Sequence, residues 1–218
     1  MWKEKKHIIT IDGPAGSGKS TIAKEVAMKL KINFISSGKI YRTFAYFVNK
    51  YGYEKAKEMI QRINITEDGC IYFENENIDD IISSEIIGQK ASEISRIKEV
   101  RDIVNQIQRE KVYSRQGSFV VEGRDEGTEV FKEAEIKIFL TASLEERAKR
   151  KYLEQKDKPL EYFINKLKER DEMDSKRDVS PLKIPEGAIL IDTTSLTINQ
   201  VSEKIITEIL NKIPDISG

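Results

Sequence analysis

The chain has 218 residues, and its 37 Lys plus Arg balance 37 Asp plus Glu, so the formal net charge at pH 7 is zero. This length suits one α/β domain, and the charge balance argues against a protein that mainly coats nucleic acid or a membrane surface. One cysteine cannot form an internal disulfide, and one histidine excludes sites that need two, such as those of metalloproteases.

The start of the chain does not resemble a targeting segment. Its charged residues are followed by a short apolar run, Ile8–Ile11, which ends at Asp12. A secretory signal needs an apolar region of about 7–15 residues and a membrane span needs about 20. We therefore expect a cytoplasmic protein without a membrane partner.

Short apolar runs alternate with longer helical patterns along most of the chain. The runs are rich in β-branched residues, which is typical of strands buried on both faces of a parallel sheet. They lie at His7–Asp12, Asn33–Ser36, Ser118–Glu122, Ile136–Thr141 and Ala188–Asp192. The helical patterns lie at Lys19–Lys31, Ser143–Gln155, Leu160–Arg170 and Ile198–Lys212. This alternation predicts an α/β fold with a parallel five-stranded sheet flanked by helices.

One segment interrupts the alternation. Residues 63–80 combine an Asp68-Gly69 turn, a β-rich run and an Asn-rich turn, which predicts a small antiparallel sheet. A long charged helix is expected to follow, from about Ser84 to Arg115. We therefore expect a single domain, residues 1–218, with a small insert at about residues 63–100.

The strongest motif follows the first predicted strand and fits the pattern G-x-x-x-x-G-K-[ST]. The predicted ATP-binding residues are Gly13, Pro14, Ala15, Gly16, Ser17, Gly18, Lys19, Ser20 and Thr21. Glycines let backbone N–H groups turn toward an anion, and the N-terminus of the following helix adds partial positive charge. Lys19 is expected to reach the β- and γ-phosphates, and the Ser20 hydroxyl to bind Mg²⁺.

This loop serves GTPases, ATPases and small-molecule kinases alike, so a second feature has to define the reaction. A guanine-reading N-K-x-D motif is absent, and large ATPases need a longer chain. A compact kinase remains, which predicts a second phosphate site. Arginines beside turn residues supply candidates in three segments, at 36–42, 122–128 and 170–183.

These segments read S-G-x-x-Y-R, G-R-D-x-G-T, R-D-x-x-D-x-x-R and P-L-K, and with the phosphate loop they occur in one order. In this respect the chain resembles bacterial cytidylate kinases, from about Ile8 to Ile206. The resemblance implies the nucleoside-monophosphate-kinase fold, with residues 63–100 as the monophosphate-binding insert and a short lid at about 150–178. It also implies transfer of the γ-phosphoryl group of ATP to CMP or dCMP, with Mg²⁺, in pyrimidine nucleotide metabolism.

The resemblance also implies roles for individual residues. Arg42 and Arg124 match positions that hold the monophosphate, and Arg177 matches one that faces the transferred phosphoryl group. Arg170 and Asp174 match positions that bind the ribose hydroxyls. The expected CMP-binding residues are Ser37, Arg42, Ser92, Arg101, Arg124, Asp125, Arg170 and Asp174, and the expected catalytic residues are Lys19, Arg124 and Arg177.

In the family, Arg101 and Asp125 match the positions that read cytosine, with Ser92 assisting. The chemistry agrees, because the N4 amine of cytosine donates while N3 and O2 accept. A carboxylate accepts from the amine, and an arginine donates to the acceptors. Uracil reverses both groups and would leave two buried partners mismatched.

The chain departs from the family pattern at two places. Ser36 stands where the family commonly has Asp, which removes a negative charge near the metal and phosphates. Glu122 ends the third strand close by, and we expect it to hold a metal-bound water. The usual arginine of the insert is also missing, since Ile81-Ile82-Ser83 stands there.

Two alternatives remain open at this point. The chain could be a kinase for another small acceptor, such as UMP or shikimate, or a degenerate regulator that binds ATP without fast transfer. We expect a monomer whose partners are ATP and CMP or dCMP, with no nucleic acid. The expected site is basic despite the zero net charge of the chain. Its three acidic residues are Glu122, Asp125 and Asp174, and its six basic residues are Lys19, Arg42, Arg101, Arg124, Arg170 and Arg177.

Overall fold

The computed structural model describes residues 5–216. Its strands are β1 Ile8–Asp12, β2 Asn33–Ser36, β3 Asn64–Ile65, β4 Ile71–Phe73, β5 Glu76–Asn77, β6 Phe119–Glu122, β7 Ile136–Thr141 and β8 Ile189–Asp192. Its helices are α1 Lys19–Leu30, α2 Ser37–Tyr51, α3 Tyr53–Met59, α4 Asp79–Ser83, α5 Glu85–Ile94, α6 Lys98–Ser114, α7 Leu144–Glu154, α8 Leu160–Lys176 and α9 Ile198–Lys212. A 3₁₀ turn at Ile60–Arg62 and a π-helical turn at Glu126–Val130 complete the elements.

The main sheet has five parallel strands in the order β2-β6-β1-β7-β8, which confirms the predicted fold class. β1 lies between β6 and β7, with Ile11 opposite Glu122 on one side and Ile138 on the other. Every residue of β1 is buried, as expected for a parallel sheet that helices cover on both faces.

Two apolar layers hold the sheet. On one face, residues of α1 and α9 such as Val26 and Ile205 pack with Ile9 of β1. On the other face, Phe44 of α2 and Val104 of α6 pack in one cluster that includes residues of β2 and β6. Burial of these side chains is the main stabilising contribution. It fixes the carboxyl ends of the strands, where the predicted site segments begin.

The small predicted antiparallel sheet is present. Strands β3, β4 and β5 form it in that order, with Ile65 opposite Ile71 and Tyr72 opposite Asn77. Glu74 and Asn75, in the turn between β4 and β5, both have positive φ, as a tight two-residue hairpin turn requires.

The prediction of one long helix from Ser84 to Arg115 is wrong, because α5 ends at Ile94 and α6 begins at Lys98. Between them Ile97 adopts an extended conformation, and the Ser95 carbonyl accepts a hydrogen bond from Nη1 of Arg101 at 3.1 Å. That contact satisfies a carbonyl the helix end leaves free. Helix α8 instead runs past Arg170 to Lys176. No helix within residues 5–216 has the length and apolar character that crossing a bilayer requires.

Candidate active site

The phosphate loop connects β1 to α1, as the motif predicts. Its backbone depends on glycine at Gly13, where φ is +149° and a Cβ atom would lie 2.0 Å from the carbonyl oxygen of Leu140. Lys19 is 5% exposed, and its Nζ donates to the carbonyl of Pro14 at 2.7 Å. Burial, together with the nearby Arg124, holds the pKa of this lysine well below its usual range. A bound polyphosphate would supply the negative charge that favours the ammonium form.

Ser20, Ser36 and Glu122 meet beside the loop. The Ser20 hydroxyl donates to Oε1 of Glu122 at 2.9 Å, and the Ser36 hydroxyl donates to the same oxygen. Glu122 is buried at the end of β6. The two hydroxyls and the carboxylate come from the ends of neighbouring strands and the first turn of α1, so the sheet order brings them together.

These oxygen atoms fit Mg²⁺. Within the described residues, no three His, Cys, Asp or Glu side chains are grouped to hold a metal ion. Mg²⁺ in phosphoryl-transfer sites commonly needs only one or two protein ligands, because water and substrate phosphates fill the other positions. The Ser20 hydroxyl with the Glu122 carboxylate matches that requirement.

The structure brings together Asp125, Arg101 and Arg177, which lie on three separate segments. Nη2 of Arg101 donates to Oδ2 of Asp125, and Nη2 of Arg177 donates to Oδ1 at 3.1 Å. All three residues are buried. Tyr41 lies beside them, with its ring centroid 5.7 Å from Cζ of Arg101. Two guanidinium groups, one on each carboxylate oxygen, fix the orientation of the Asp125 side chain.

A second pair of predicted residues meets next to the first. Nε of Arg124 donates to Oδ2 of Asp174 at 3.0 Å. Burial alone would raise the pKa of Asp174, but Arg124 and Arg170 more than offset it and lower that pKa. Burial and the nearby Arg124 lower the pKa of Arg170 to about 10. Nε of Arg170 is buried without a hydrogen-bond partner in the described part of the chain. Arg170 is thus available for an anion or hydroxyl.

Arg42 of α2 lies beside α4 and α5, which belong to the predicted insert. Its Nη1 donates to the carbonyls of Ile82, Ser83 and Ser84 at 2.9, 3.3 and 3.1 Å. Ile82 and Ser83 end α4, and Ser84 follows it. Its Nη2 faces Gly88 of α5, where a Cβ atom would approach to 2.6 Å. Gly88 therefore leaves the space that the guanidinium occupies.

The two predicted serines are placed differently. Ser37 is buried in the first turn of α2, and its Oγ lies 2.6 Å from the position that a Cβ atom on Gly123 would take. Ser92 is half-buried on α5, and its carbonyl accepts from the hydroxyl of Ser95 at 2.9 Å. The expected role of Ser92 at the cytosine therefore rests on the resemblance rather than on a contact.

Sequence reasoning missed two buried acids. Asp12 accepts from the backbone N–H groups of Glu126 and Gly127 at 2.9 and 2.8 Å. Burial raises the pKa of Asp12 to about 6. Burial, with Asp125 and Asp12 nearby, raises the pKa of Glu126 well above its usual range. A polar residue ending an otherwise apolar strand was the available signal for Asp12; Glu126 had none beyond its place beside Asp125.

Arg147 of α7 supports the phosphate loop from outside. It is buried, its Nη1 donates to the carbonyl of Ala15 at 3.1 Å, and the same atom lies 2.8 Å from Oδ2 of Asp171 in α8. Arg147 therefore connects Asp171, which lies in the predicted lid segment, to the phosphate loop.

Comparisons with known proteins agree with this geometry. The family model described as "Cytidylate kinase" matches residues 9–211. A cytidylate kinase of Pseudothermotoga lettingae is 43% identical over 208 residues, covering 92% of each chain. A cytidylate kinase of Caldanaerobacter subterraneus is 42% identical over 207 residues, covering 90% of this chain and 92% of its own.

Solved structures support the fold alone. A shikimate kinase from Acinetobacter baumannii aligns with a TM-score of 0.51 at 20% identity, covering 96% of this chain and 97% of its own. An uncharacterized protein from Eubacterium ventriosum aligns with a TM-score of 0.52 at 17% identity, covering 94% and 98%. The order of motifs, the meeting of their side chains and the match over nearly the whole length lead to one conclusion: the chain belongs to the cytidylate kinase family.

Proposed function

We propose that the chain transfers the γ-phosphoryl group of ATP to CMP or dCMP, giving ADP and CDP or dCDP. The observation that carries the proposal is the Asp125 carboxylate held by Arg101 and Arg177. A carboxylate oriented in this way accepts from the N4 amine of cytosine, and Arg101 donates to the cytosine acceptors. Uracil would present O4 to the carboxylate and N3–H to the arginine, so UMP is a poor acceptor.

The acceptor's phosphate and sugar have their own residues. Arg42 and Arg124 bind the monophosphate, since guanidinium groups match phosphate oxygens in bidentate geometry. Arg170 and Asp174 bind the ribose hydroxyls. Arg124 already contacts Asp174 at 3.0 Å, so the phosphate and ribose sites are adjacent. Ser37 and Ser92 complete the acceptor site.

The donor binds at the phosphate loop, with Lys19 at the β- and γ-phosphates. Ser20, and Glu122 through water, would hold Mg²⁺, which would supply positive charge to the phosphates. No general base is needed, because a phosphate monoester with a second pKa near 6 is mostly a dianion at pH 7. Lys19, Arg124 and Arg177 neutralise the repulsion between two polyanions and hold them in line.

Residues 63–100 act as the acceptor-binding insert, and residues 150–178 act as the lid. The Tyr162 hydroxyl of α8 donates to Oε1 of Glu85 in α5 at 2.7 Å, and Lys166 pairs with the same oxygen. These contacts join the two segments across the acceptor site. Closure of this kind excludes water, which otherwise competes as the acceptor.

The test is an ADP-release assay over CMP, dCMP, UMP, AMP and shikimate. We expect acceptor-dependent ADP release with CMP and dCMP, and much slower release with the others. The absence of any acceptor-dependent release would refute the kinase activity, and faster turnover of UMP would refute the role of Asp125 and Arg101. We also propose a monomer, tested by size-exclusion chromatography, that works in the cytoplasm, where ATP and CMP are available.

A further inference from the structure

Asp12 is the last residue of β1 and directly precedes the phosphate loop. It is fully buried, and both of its carboxylate oxygens are used: Oδ1 accepts from the N–H of Glu126, and Oδ2 accepts from the N–H of Gly127. The two donors follow Asp125 in the chain. One carboxylate therefore connects the strand that leads into the ATP loop with the segment that carries the cytosine-reading residue.

The fit around this connection is tight. A Cβ atom on Gly127 would lie 2.8 Å from Oγ1 of Thr10, 3.0 Å from the Pro185 ring and 3.3 Å from Oδ2 of Asp12. The N–H of Gly123 continues the ladder by donating to the Ile11 carbonyl at 3.1 Å. The chain between Gly123 and Gly127 is thus held at both ends against β1, and Asp12 provides one of the two attachments.

Asp125 immediately precedes the two N–H groups that Asp12 accepts from. The Asp125 side chain pairs with Arg101 and Arg177 from other segments. These pairs orient the carboxylate, but its location also depends on where the backbone of Asp125 lies. Two charge-assisted hydrogen bonds from consecutive N–H groups define the backbone position immediately after it. Base reading depends on displacements of less than about 1 Å, so this constraint bears on selectivity.

We propose that Asp12 is a positioning residue for acceptor selection: by holding the N–H groups of Glu126 and Gly127, it fixes Asp125 relative to the strand that carries the phosphate loop. The proposal rests on the proposed function, because it assigns Asp12 to cytosine recognition at that same site. Asp12 itself touches neither nucleotide.

The experiment measures kcat/KM for CMP and for UMP at saturating ATP in Asp12→Asn. Asparagine keeps the size of the side chain and one acceptor but presents an amide to the second N–H. The ratio of the two values is the readout, since a loss of folded protein lowers both values equally and leaves the ratio unchanged. We expect the CMP-over-UMP ratio to fall about tenfold or more.

Asp192→Asn is the matched control. Asp192 ends β8 of the same sheet and accepts from the backbone N–H of Thr194 at 2.9 Å, but it lies two strands away from β1. The CMP-over-UMP ratio of kcat/KM in Asp192→Asn should remain at the wild-type value. If Asp12→Asn does not fold, Gly127→Ala tests the same attachment, because the added Cβ pushes the turn away from Thr10 and Asp12.

A double variant tests whether Asp12 acts through Asp125. Asp12→Asn should reduce the ratio in the wild-type background and add no further reduction in the Asp125→Asn background. An unchanged ratio in both Asp12→Asn and Gly127→Ala, or full additivity with Asp125→Asn, would overturn the proposal. A wild-type chain without a preference for CMP would instead refute the proposed function, and this proposal with it.

Discussion

The hydroxyl of Ser20 donates to Oε1 of Glu122 at 2.9 Å, although the two residues are 102 positions apart. Ser36, at the end of β2, donates to the same carboxylate oxygen. At this position, where the resemblance implies an aspartate, the chain has a hydroxyl that orients Glu122. The expected metal site keeps one negative charge here instead of two.

Ser36→Asp should tighten the binding of Mg²⁺. A second carboxylate beside Glu122 adds negative charge where the ion is expected, so the Mg²⁺ concentration for half-maximal rate should fall about tenfold. Without Mg²⁺ the two buried carboxylates repel, and Glu122 loses a donor, so the melting temperature should fall. Titration of the rate with Mg²⁺ and thermal unfolding with and without the ion measure both effects.

Ser36 is the N-cap of α2, where its Oγ accepts from the N–H of Lys39 at 3.3 Å. Ser36→Asn is the control, since asparagine matches aspartate in shape and can also cap this helix, but carries no charge. It should not tighten Mg²⁺ binding. If turnover and Mg²⁺ affinity both fall in Ser36→Asp, Ser36 has a role that a carboxylate cannot replace.

Asp125→Asn should reduce the preference for CMP over UMP. The amide can present its N–H₂ to O4 of uracil, so discrimination should fall about 10- to 100-fold in the ratio of kcat/KM. Removing the charge also leaves Arg101 and Arg177 without their buried partner, which typically costs about 3–5 kcal/mol of stability. Acceptor kinetics and urea unfolding separate the two effects.

Asp102→Asn is a suitable control because Asp102 lies on an exposed part of α6 and pairs with the exposed Lys98 at 2.7 Å. Exposed pairs of this kind contribute little, so both selectivity and stability should remain near the wild-type values. A CMP-over-UMP ratio that does not change in Asp125→Asn would contradict the base-reading role.

Gly88→Ala should weaken the binding of CMP without destabilising the protein. The added Cβ would approach Nη2 of Arg42 to 2.6 Å, and the flexible arginine would move away from the phosphate position. Alanine is the better helix former by about 1 kcal/mol, which offsets the loss of the hydrogen bonds that Arg42 donates to the carbonyls of Ile82, Ser83 and Ser84, so the melting temperature should change little. We expect KM for CMP to rise about tenfold, with KM for ATP unchanged.

Lys90 on the same helix offers the comparison: Lys90→Ala changes α5 without approaching Arg42 and should leave KM for CMP unchanged. A lower melting temperature in Gly88→Ala together with an unchanged KM would show that the glycine serves the packing around α5 rather than the position of Arg42.

The stability of the free protein should carry a contribution from Asp12 that depends on pH. Burial raises its pKa in the folded state from 3.8 to about 6, against the two N–H donors that lower it. Between about pH 4 and 6 the Asp12 carboxyl is protonated in the folded protein but ionised in the unfolded chain. Its stabilising contribution is therefore fully present below about pH 4 and is lost as pH rises through 6. This difference in the pKa of Asp12 between the folded and unfolded states corresponds to about 3 kcal/mol in the free energy of unfolding.

The measurement compares wild type with Asp12→Asn by urea unfolding from pH 4 to 7. Relative to the variant, the wild type should lose stability as pH rises across this range. A difference that stays constant with pH would mean that the proton on Asp12 is not linked to folding.

The fold could be predicted because its signals are local. Each strand of the main sheet is a short β-branched run, and Gly13–Ser20 follows the first of them, so the sheet and the phosphate loop agree with the prediction. The break between α5 and α6 could not be predicted. Arg101 donates to the Ser95 carbonyl at the break, and Arg101 also contacts Asp125 from a distant segment, so this contact is not visible in the local sequence.

The site could be predicted where charged residues follow strand ends, as Arg124 and Asp125 do. It could not be predicted where a residue acts through its size or through the backbone. Gly88 matters because it leaves space for Arg42, and Asp12 because it accepts from two N–H groups 114 and 115 positions away. Neither function leaves a pattern in the residues nearby in sequence.

The order of strands in the sheet has a consequence for the spacing between α2 and the phosphate loop. β2, β6 and β1 are neighbours, and α2, the Arg124 segment and the phosphate loop follow them directly. Adjacent strands lie about 4.8 Å apart, and β2 and β1 are separated by β6. The start of α2 and the start of the phosphate loop therefore lie roughly 10 Å from each other. Backbone hydrogen bonds of the sheet set that separation. Side-chain substitutions in the site should therefore alter the affinity and selectivity for nucleotides while leaving the distance between α2 and the phosphate loop unchanged.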